Sequence, residues 1–264
     1  MSPVPQFINR RATLATALAA TTVAVSLTLA ACGEDETNAQ AEPDQGLPQG
    51  SEPAQLDPAE FTTEIDNRYW PMAVGSRWTY EEIDATTGEK LTVVVTVTDR
   101  TKAIANGVEA RVVRDVVTDA NGDPVEVTDD YYAQDADGNV WYLGEDTAEY
   151  ENGKVVSRAG SFEAGADGAE AGVIMPADPE PQLAYRQEYY EGEAEDRAVV
   201  LATDQKVEVA AGRYRDALLT NDLNPLEPAV SELKLYAPGI GPVLTLDVSG
   251  GAGREELISF QPGG

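Results

Sequence analysis

Five short pairs of turn-forming residues recur between positions 87 and 153, and they constrain the fold more than any other feature. The pairs are Thr87-Gly88, Asn106-Gly107, Asn121-Gly122, Asp137-Gly138 and Asn152-Gly153. Asn-Gly and Asp-Gly pairs between alternating apolar residues are typical of β-hairpins, because these residues adopt positive φ at low cost. Their regular spacing predicts an antiparallel meander in which each strand pairs with its neighbour in sequence.

The segments around these turns have the period of two that half-buried strands show. Leucine or valine occupies alternate positions from 91 to 97, and threonine fills most positions between them. Similar strand patterns occur at 77–81, 185–190, 198–203, 206–209, 217–220, 232–236, 243–248 and 256–260. No segment has sustained helical periodicity. The sequence therefore predicts a mainly β fold over residues 61–264, a single antiparallel meander of about 11–12 strands whose curved sheet closes as a barrel or a sandwich.

One stretch interrupts the strand pattern. Residues 157–182 are rich in glycine, alanine and aspartate and contain three prolines. We expect a long irregular loop here, and loops of this length are usually functional. It is a candidate rim or lid.

The N-terminal segment has the pattern of an export signal. Arg10 and Arg11 precede an uncharged run that ends at Cys32, the only cysteine in the chain. A charged start, an apolar run and small residues before a cleavage point are typical of signal peptides. The stretch before Cys32, Leu-Ala-Ala, resembles the lipobox of bacterial lipoproteins, in which the cysteine becomes the first mature residue and carries acyl chains such as palmitate.

The resemblance implies that residues 1–31 are removed and that Cys32 anchors the protein in the cell membrane on its extracytoplasmic face. Two alternatives stay open, a retained transmembrane helix and secretion without lipid. The paired arginines also match the twin-arginine export motif in part.

The segment after the cysteine differs from the rest of the chain. Residues 33–60 hold eight acidic residues, no basic ones and four prolines. Such a composition cannot bury enough apolar surface to offset the entropy of ordering. We therefore expect residues 32–60, including the acylated Cys32, to form a disordered tether.

Charge and residue usage exclude several functions. The net charge of −29 repels phosphate backbones, so we expect no nucleic-acid partner. The chain contains no histidine, which removes the commonest general base and the commonest neutral metal ligand. Ser-His-Asp hydrolases, Cys-His hydrolases, zinc peptidases and histidine-ligated haem proteins are therefore excluded. We predict no cofactor.

A calcium site is the first candidate for chemistry. Asp135, Asp137 and Asn139 place oxygen ligands at alternate positions, and residues 119–123 repeat the pattern. The glycine stands at the fourth position of this motif, whereas an EF-hand has it at the sixth. A hairpin turn explains the same residues without a metal, and we favour the turn.

Paired carboxylates are the second candidate, because glycoside hydrolysis needs two of them and no histidine. Glu82-Ile83-Asp84 resembles in part the strand motif of a jelly-roll glycanase family, but Thr87 stands where that motif has a second glutamate; Glu64-Ile65-Asp66 departs from it similarly at Tyr69. The alternative is that acidic side chains lie on the solvated face of a strand.

An apolar pocket is the third candidate. Tyr131-Tyr132 and Trp141-Tyr142 are adjacent aromatic pairs. Neighbouring residues on a strand point to opposite faces. One member of each pair should therefore lie in the core, and the other should be exposed or line a cavity.

Several stretches resemble a family of uncharacterised bacterial lipoproteins. They are residues 71–80 with the Trp-Thr-Tyr start, 138–146 with the motif GNVWYLGED, 185–190, 192–196 and 225–228. The resemblance implies a membrane-anchored lipoprotein and carries no activity. A more distant likeness is to the curved half-barrels of lipoprotein-carrier proteins.

Together these features predict a membrane-anchored lipoprotein that presents a non-catalytic β domain for binding an envelope or extracellular ligand. Two alternatives remain: a carrier of a lipid or other apolar ligand in a β-sheet pocket, and a glycan hydrolase with paired carboxylates.

Overall fold

The computed structural model describes residues 46–264, which form sixteen β-strands and one short 3-10 turn at Pro58–Glu60. The first eight strands are β1 (Phe61–Thr62), β2 (Arg77–Asp84), β3 (Lys90–Ala103), β4 (Glu109–Thr118), β5 (Pro124–Asp135), β6 (Val140–Glu151), β7 (Lys154–Ser157) and β8 (Phe162–Glu163). The others are β9 (Glu170–Met175), β10 (Ala184–Arg186), β11 (Glu188–Tyr189), β12 (Arg197–Val209), β13 (Gly212–Leu223), β14 (Ser231–Ala237), β15 (Gly241–Ser249) and β16 (Gly253–Gln261).

The predicted signal peptide, residues 1–31, and the predicted acylation site, Cys32, lie outside the described residues. Within residues 46–264, no helix is long and apolar enough to span a membrane.

Two antiparallel meanders make up most of the sheet. Strands β2 to β6 pair in sequence order, and strands β12 to β16 do the same. The last strand, β16, pairs with β2 along most of its length, from Gly253 opposite Asp84 to Gln261 opposite Arg77. This pairing joins the C-terminal meander to the N-terminal one in a single sheet.

The two ends of the sheet meet at one short segment. Strand β10 pairs with β12 at one edge, and β11 pairs with β9 at the other. Only Gln187 separates β10 from β11, so residues 184–189, which we call the seam, belong to both edges. The predicted antiparallel sheet is confirmed, and it is nearly closed into a barrel.

The hairpin turns are confirmed at all five predicted positions. Each pair lies in a turn between consecutive strands, and its glycine has positive φ. At Asp137-Gly138, the glycine has φ of 95°, which an L side chain would adopt only with strain. The strand count is higher than predicted, because β1, β7 and β8 are too short to show a period and the pattern at 185–190 divides into two short strands, β10 and β11.

Two segments differ from the sequence-based prediction. Residues 157–182 were expected to be irregular but contain β8 and β9, and β9 pairs with β6 in the main sheet. The strand patterns at 198–203 and 206–209 belong to one strand, β12, whose register shifts at three points. These shifts interrupt the alternation that sequence periodicity detects.

The described part of the predicted tether is ordered against the barrel, which corrects the prediction for residues 46–60. Residues 47–54, which we call the strap, lie along the seam, and Leu47 is buried. The Arg186 guanidinium donates to the carbonyls of Gly50 and Glu52, the latter at 2.8 Å, and to that of Ala171 at 2.6 Å. Composition could not reveal these contacts, because their acceptors are backbone carbonyls that every residue carries.

Candidate functional site

The interior of the barrel contains a cavity of about 220 Å³. Its apolar and aromatic lining consists of Trp70, Met72, Trp78, Tyr80, Val93, Val95, Val113, Val117, Tyr132, Tyr142, Ile174, Tyr236 and Pro242. Its polar lining consists of Glu82, Asp115, Glu126, Thr128, Asp130, Glu145, Glu188, Lys234, Thr245 and Glu255. The cavity is thus lined both by rings and by an unusually acidic set of side chains.

Strand alternation places these side chains in the interior. On β5 the lining residues are Glu126, Thr128, Asp130 and Tyr132, which are alternate positions. Residues two apart on a strand share a face, so one face of β5 places two carboxyls and a ring in the lining of the cavity. In the same way, β2 places the rings of Trp78 and Tyr80 and the carboxyl of Glu82 there.

A loop between β1 and β2 supplies part of the aromatic wall. The Trp70 ring lies 5.7 Å from the Tyr132 ring on β5 and 6.0 Å from the Tyr236 ring on β14. Asn67 holds this loop, because its side-chain amide donates to the carbonyls of Gly138 and Pro176. Trp70 therefore bridges two walls that are distant from each other in the sheet order.

Tyr132 and Tyr142 extend the aromatic wall. Their rings stack with centroids 4.9 Å apart and planes inclined by 21°. The two residues are paired across β5 and β6. The stacked rings lie beside the carboxyls of the same two strands.

Asp130 and Glu145 face each other across β5 and β6. The Tyr142 hydroxyl lies 2.7 Å from Asp130 Oδ1 and 2.9 Å from Glu145 Oε2. A tyrosine hydroxyl has one hydrogen to donate, so a proton on one carboxyl completes the second hydrogen bond. In agreement, burial and the neighbouring Glu145 and Asp115 raise the pKa of Asp130 well above its usual value.

A second pair of opposed carboxyls lies on β2 and β16, where Glu82 is paired with Glu255. Burial, followed by the charges of Glu82 and Asp115, raises the pKa of Glu255 well above its usual value. The charge of Asp115 raises the pKa of both Glu255 and Asp130, and its strand, β4, lies between β2 and β5 in the sheet. Like charges directly opposite each other destabilise a sheet, and protonation relieves this cost.

Among the described residues of the lining, Lys234 alone carries an amine, and carboxylates outside the lining hold it. Its Nζ lies 2.9 Å from Asp222 Oδ2 and 3.4 Å from Glu232 Oε2. Burial alone would lower the pKa of Lys234, but these two carboxylates outweigh it and raise the pKa well above its usual value. Asp222 also accepts hydrogen bonds from Thr220 and, at 3.3 Å, from Gln187 of the seam.

The candidate calcium ligands, for which we favour a hairpin turn, lie in a turn away from the cavity. Asp135 Oδ1 accepts from the backbone N–H groups of Asp137 and Asn139 at 3.0 and 2.8 Å. Its Oδ2 accepts from the Asn139 amide at 2.9 Å and from the Trp141 indole at 2.7 Å. Four donors thus hold Asp135 as a turn cap. In the part of the chain that the structure describes, no three potential acidic or thiol ligands are grouped closely enough to hold a metal ion.

The carboxylates proposed for hydrolysis are placed differently from one another. Glu82 is 1 % exposed and lines the cavity, which shows that its side of β2 is not a solvated strand face. Asp84 instead accepts hydrogen bonds from the backbone of Thr86 and Thr87 in the following turn. Asp66 accepts from the amide of Gln134. The structure therefore pairs Glu82 with Glu255, which is distant in sequence, and not with Asp84.

The two aromatic pairs divide between the faces of the sheet as alternation predicts. Tyr132 and Tyr142 line the cavity. Tyr131 lies under Lys102, whose Nζ is 4.1 Å from the ring centroid, and Trp141 packs against Phe61. All four rings are buried, and on the outer face Phe61 and Lys102 contact the rings of Trp141 and Tyr131.

Five cavity residues carry no signal in the sequence that singles them out: Asp115, Asp130, Glu145, Lys234 and Glu255. The alternation of acidic and apolar residues on β5 was present as a signal, but it is also the pattern of a strand with one face in water. Distinguishing a solvated face from an acidic interior requires knowledge that the sheet closes on itself.

Comparisons with known proteins give little further information. No family model and no curated protein matches this sequence. A crystal structure from Bacteroides fragilis, described as an exported protein with a YmcC-like fold, is 16% identical, with a TM-score of 0.42 over 74% of this chain and 100% of that chain. A protein from Parabacteroides distasonis, described as a lipoprotein, is 13% identical, with a TM-score of 0.41 over 74% and 99%. Structural similarities as weak as these support no conclusion about this chain.

Proposed function

We propose that this protein is an exported lipoprotein that binds a small ligand inside its β-barrel and does not transform it. Acylated Cys32 would hold it on the extracytoplasmic face of the cell membrane, as the lipobox pattern implies. The observation that supports ligand binding most directly is the interior cavity of about 220 Å³, lined by stacked rings and polar groups. Apolar pockets with a few convergent polar groups are the usual form of small-molecule sites.

The size and polarity of the cavity favour a small polar ligand over a lipid. Drug-sized ligands occupy cavities of about 300–1,000 Å³, and this cavity is smaller. Seven of its lining residues carry carboxyl groups. A long acyl chain would have to cover these carboxyls without forming hydrogen bonds to them, which is costly.

Native mass spectrometry of the unacylated Cys32→Ser protein tests the proposal. After incubation with an extract of small metabolites, we expect the protein to retain a small molecule. Val95→Phe, which fills the cavity from β3, should reduce that retention. The matched control is Val94→Phe, because Val94 is the neighbouring residue on the same strand and does not line the cavity.

Equal retention by Val95→Phe and the unsubstituted protein would contradict binding in the cavity, and so would a chain that retains nothing. A bound mass in the range of a phospholipid or fatty acid would instead support carriage of an apolar ligand.

A second candidate, glycoside hydrolysis, is favoured by the opposed carboxyl pairs Asp130–Glu145 and Glu82–Glu255. Paired carboxyls, one with a raised pKa, are the groups that this reaction needs. Release of reducing sugar from a glycan panel, abolished by Glu82→Gln, would overturn the non-catalytic proposal.

A further inference from the structure

The barrel cavity has a marked imbalance of charge-bearing groups. Of the described residues that line it, seven carry carboxyls and one, Lys234, carries an amine. The amine is already engaged by Asp222 and Glu232, which are not part of the lining. An anionic ligand would therefore meet a wall of carboxyl groups with little positive charge to attract it.

The carboxyls converge at one place beside the aromatic wall. Asp130 and Glu145 are directly opposite in the sheet, and the Tyr142 hydroxyl touches both. The Tyr142 ring stacks on Tyr132 at 4.9 Å. A carboxyl pair beside aromatic rings that line the same cavity is an arrangement that stabilises an organic cation, through charge-assisted hydrogen bonds and cation–π attraction.

We propose that the ligand is a small organic ammonium ion, with its nitrogen between Asp130 and Glu145 and its carbon groups against Tyr132 and Tyr142. This inference rests on the proposed function, because it names the class of ligand that the cavity binds. The cavity is larger than a bare ion needs, and within residues 46–264 no three acidic side chains are grouped closely enough to hold a metal ion.

Before the ligand binds, the positive charge between Asp130 and Glu145 is that of a shared proton. The Tyr142 hydroxyl can bridge Asp130 and Glu145 only when their pair carries a proton. An ammonium ion donates its own N–H groups or supplies its charge, so the shared proton leaves to solvent when the ligand binds. The groups that face Asp130 are Asp115 on β4, Glu126 and Tyr132 on β5, and Tyr142 and Glu145 on β6. They are acids or phenols, so no basic side chain among them would accept the proton.

Calorimetric titration of the Cys32→Ser protein with matched probes tests the inference. The probes are choline with its uncharged isostere 3,3-dimethylbutan-1-ol, and butylammonium with 1-butanol. We expect at least one ammonium probe to bind about tenfold or more tightly than its neutral partner, which corresponds to about 1.4 kcal/mol. Its affinity should rise with pH, because binding releases a proton.

Two variants locate the charge contact. Glu145→Gln keeps the size of the side chain and should weaken ammonium binding about tenfold, without affecting the neutral probes. The control is Asp146→Asn, because Asp146 is the next residue on β6 and its exposed carboxylate pairs with Arg158. Near-ultraviolet circular dichroism of each variant establishes that the aromatic packing is intact.

Neutral probes that bind as tightly as their ammonium partners would overturn the inference, and so would an affinity that Glu145→Gln leaves unchanged. Failure of all four probes would also overturn it. The proposed function is distinguished by the Val95→Phe comparison, which detects occupation of the cavity by a ligand of any charge.

Discussion

The carboxyl of Asp130 lies opposite that of Glu145 inside the barrel, and a single tyrosine hydroxyl is within hydrogen-bonding distance of both. Two acids in this arrangement cannot both ionise without a large electrostatic cost. Protonation of the Asp130–Glu145 pair should therefore affect the free energy of unfolding.

The first prediction concerns this pair and pH. The pKa of Asp130 is raised on folding, so folding takes up a proton between its unfolded and folded pKa values. Stability is then full below the unfolded pKa and decreases as the pH rises through that interval. Asp130→Asn cannot titrate, and we expect it to flatten the slope by up to about 1.4 kcal/mol per pH unit.

Urea unfolding from about pH 5 to about pH 8 measures this slope. Asp146→Asn, on the exposed face of β6, should keep the slope of the unsubstituted protein. Equal slopes for the Asp130 and Asp146 variants would show that the buried pair does not take up a proton on folding.

The second prediction concerns the strap and Arg186. Arg186 is 1 % exposed, and its guanidinium donates to three backbone carbonyls. Arg186→Ala leaves these acceptors without their donor, and we expect a loss of about 3 kcal/mol in the free energy of unfolding. Hydrogen exchange in residues 46–54 should become faster than in Arg197→Ala, because Arg197 is exposed on the adjacent strand. Unchanged exchange in the strap would contradict this role for Arg186.

The third prediction concerns the seam. A Cβ on Gly172 would lie 2.2 Å from the Gln187 carbonyl carbon, so β9 approaches the seam more closely than any side chain allows. We expect Gly172→Ala to lower stability by about 1–3 kcal/mol through forced separation of these backbones. Gly153→Ala has open space around it and should cost only its backbone strain at φ of 72°. A melting temperature for Gly172→Ala equal to or above that of Gly153→Ala would refute the close contact.

The fourth prediction concerns Asp135. Because its two oxygens accept four hydrogen bonds within the turn and from Trp141, Asp135→Ala should destabilise the protein by about 2 kcal/mol. After chelation, millimolar calcium should leave the melting temperature of the unsubstituted protein unchanged. An increase that Asp135→Ala abolishes would restore the calcium hypothesis for Asp135, Asp137 and Asn139.

The fifth prediction concerns the anchor. Replacement of Cys32 by serine removes the thiol to which acyl chains attach, so this variant should lose radiolabelled palmitate and leave the membrane fraction. Ser51→Ala, which does not change the lipobox, serves as the control. Membrane retention of the Cys32 variant would argue for a retained helix instead of a lipid.

The hairpin turns could be predicted from the sequence, but the pairing of strands that are far apart in the chain could not. Turns such as Asn121-Gly122 depend on the φ preferences of their own residues, which the sequence states directly. The pairing of β16 with β2 depends on burial shared by segments that are far apart in the chain, and no short-range pattern contains it. The candidate site also depends on residues that are far apart in the chain. Glu82 was singled out, but its partner Glu255 comes from the far end of the chain, so the pair becomes visible only in three dimensions.

The seam has a consequence for the order of folding. The two short strands of the seam, β10 and β11, can pair only when β12 and β9 are already at the right distance from each other. That distance depends on every strand between β12 and β9 in the sheet. We therefore expect pairing of the seam to be the final step of folding. Folding should be slow, because many contacts join segments that are far apart in the chain. Until residues 184–189 are in place, the edge positions of β9 and β12 that they pair with remain available to neighbouring molecules, so aggregation during refolding should exceed that of the closed protein.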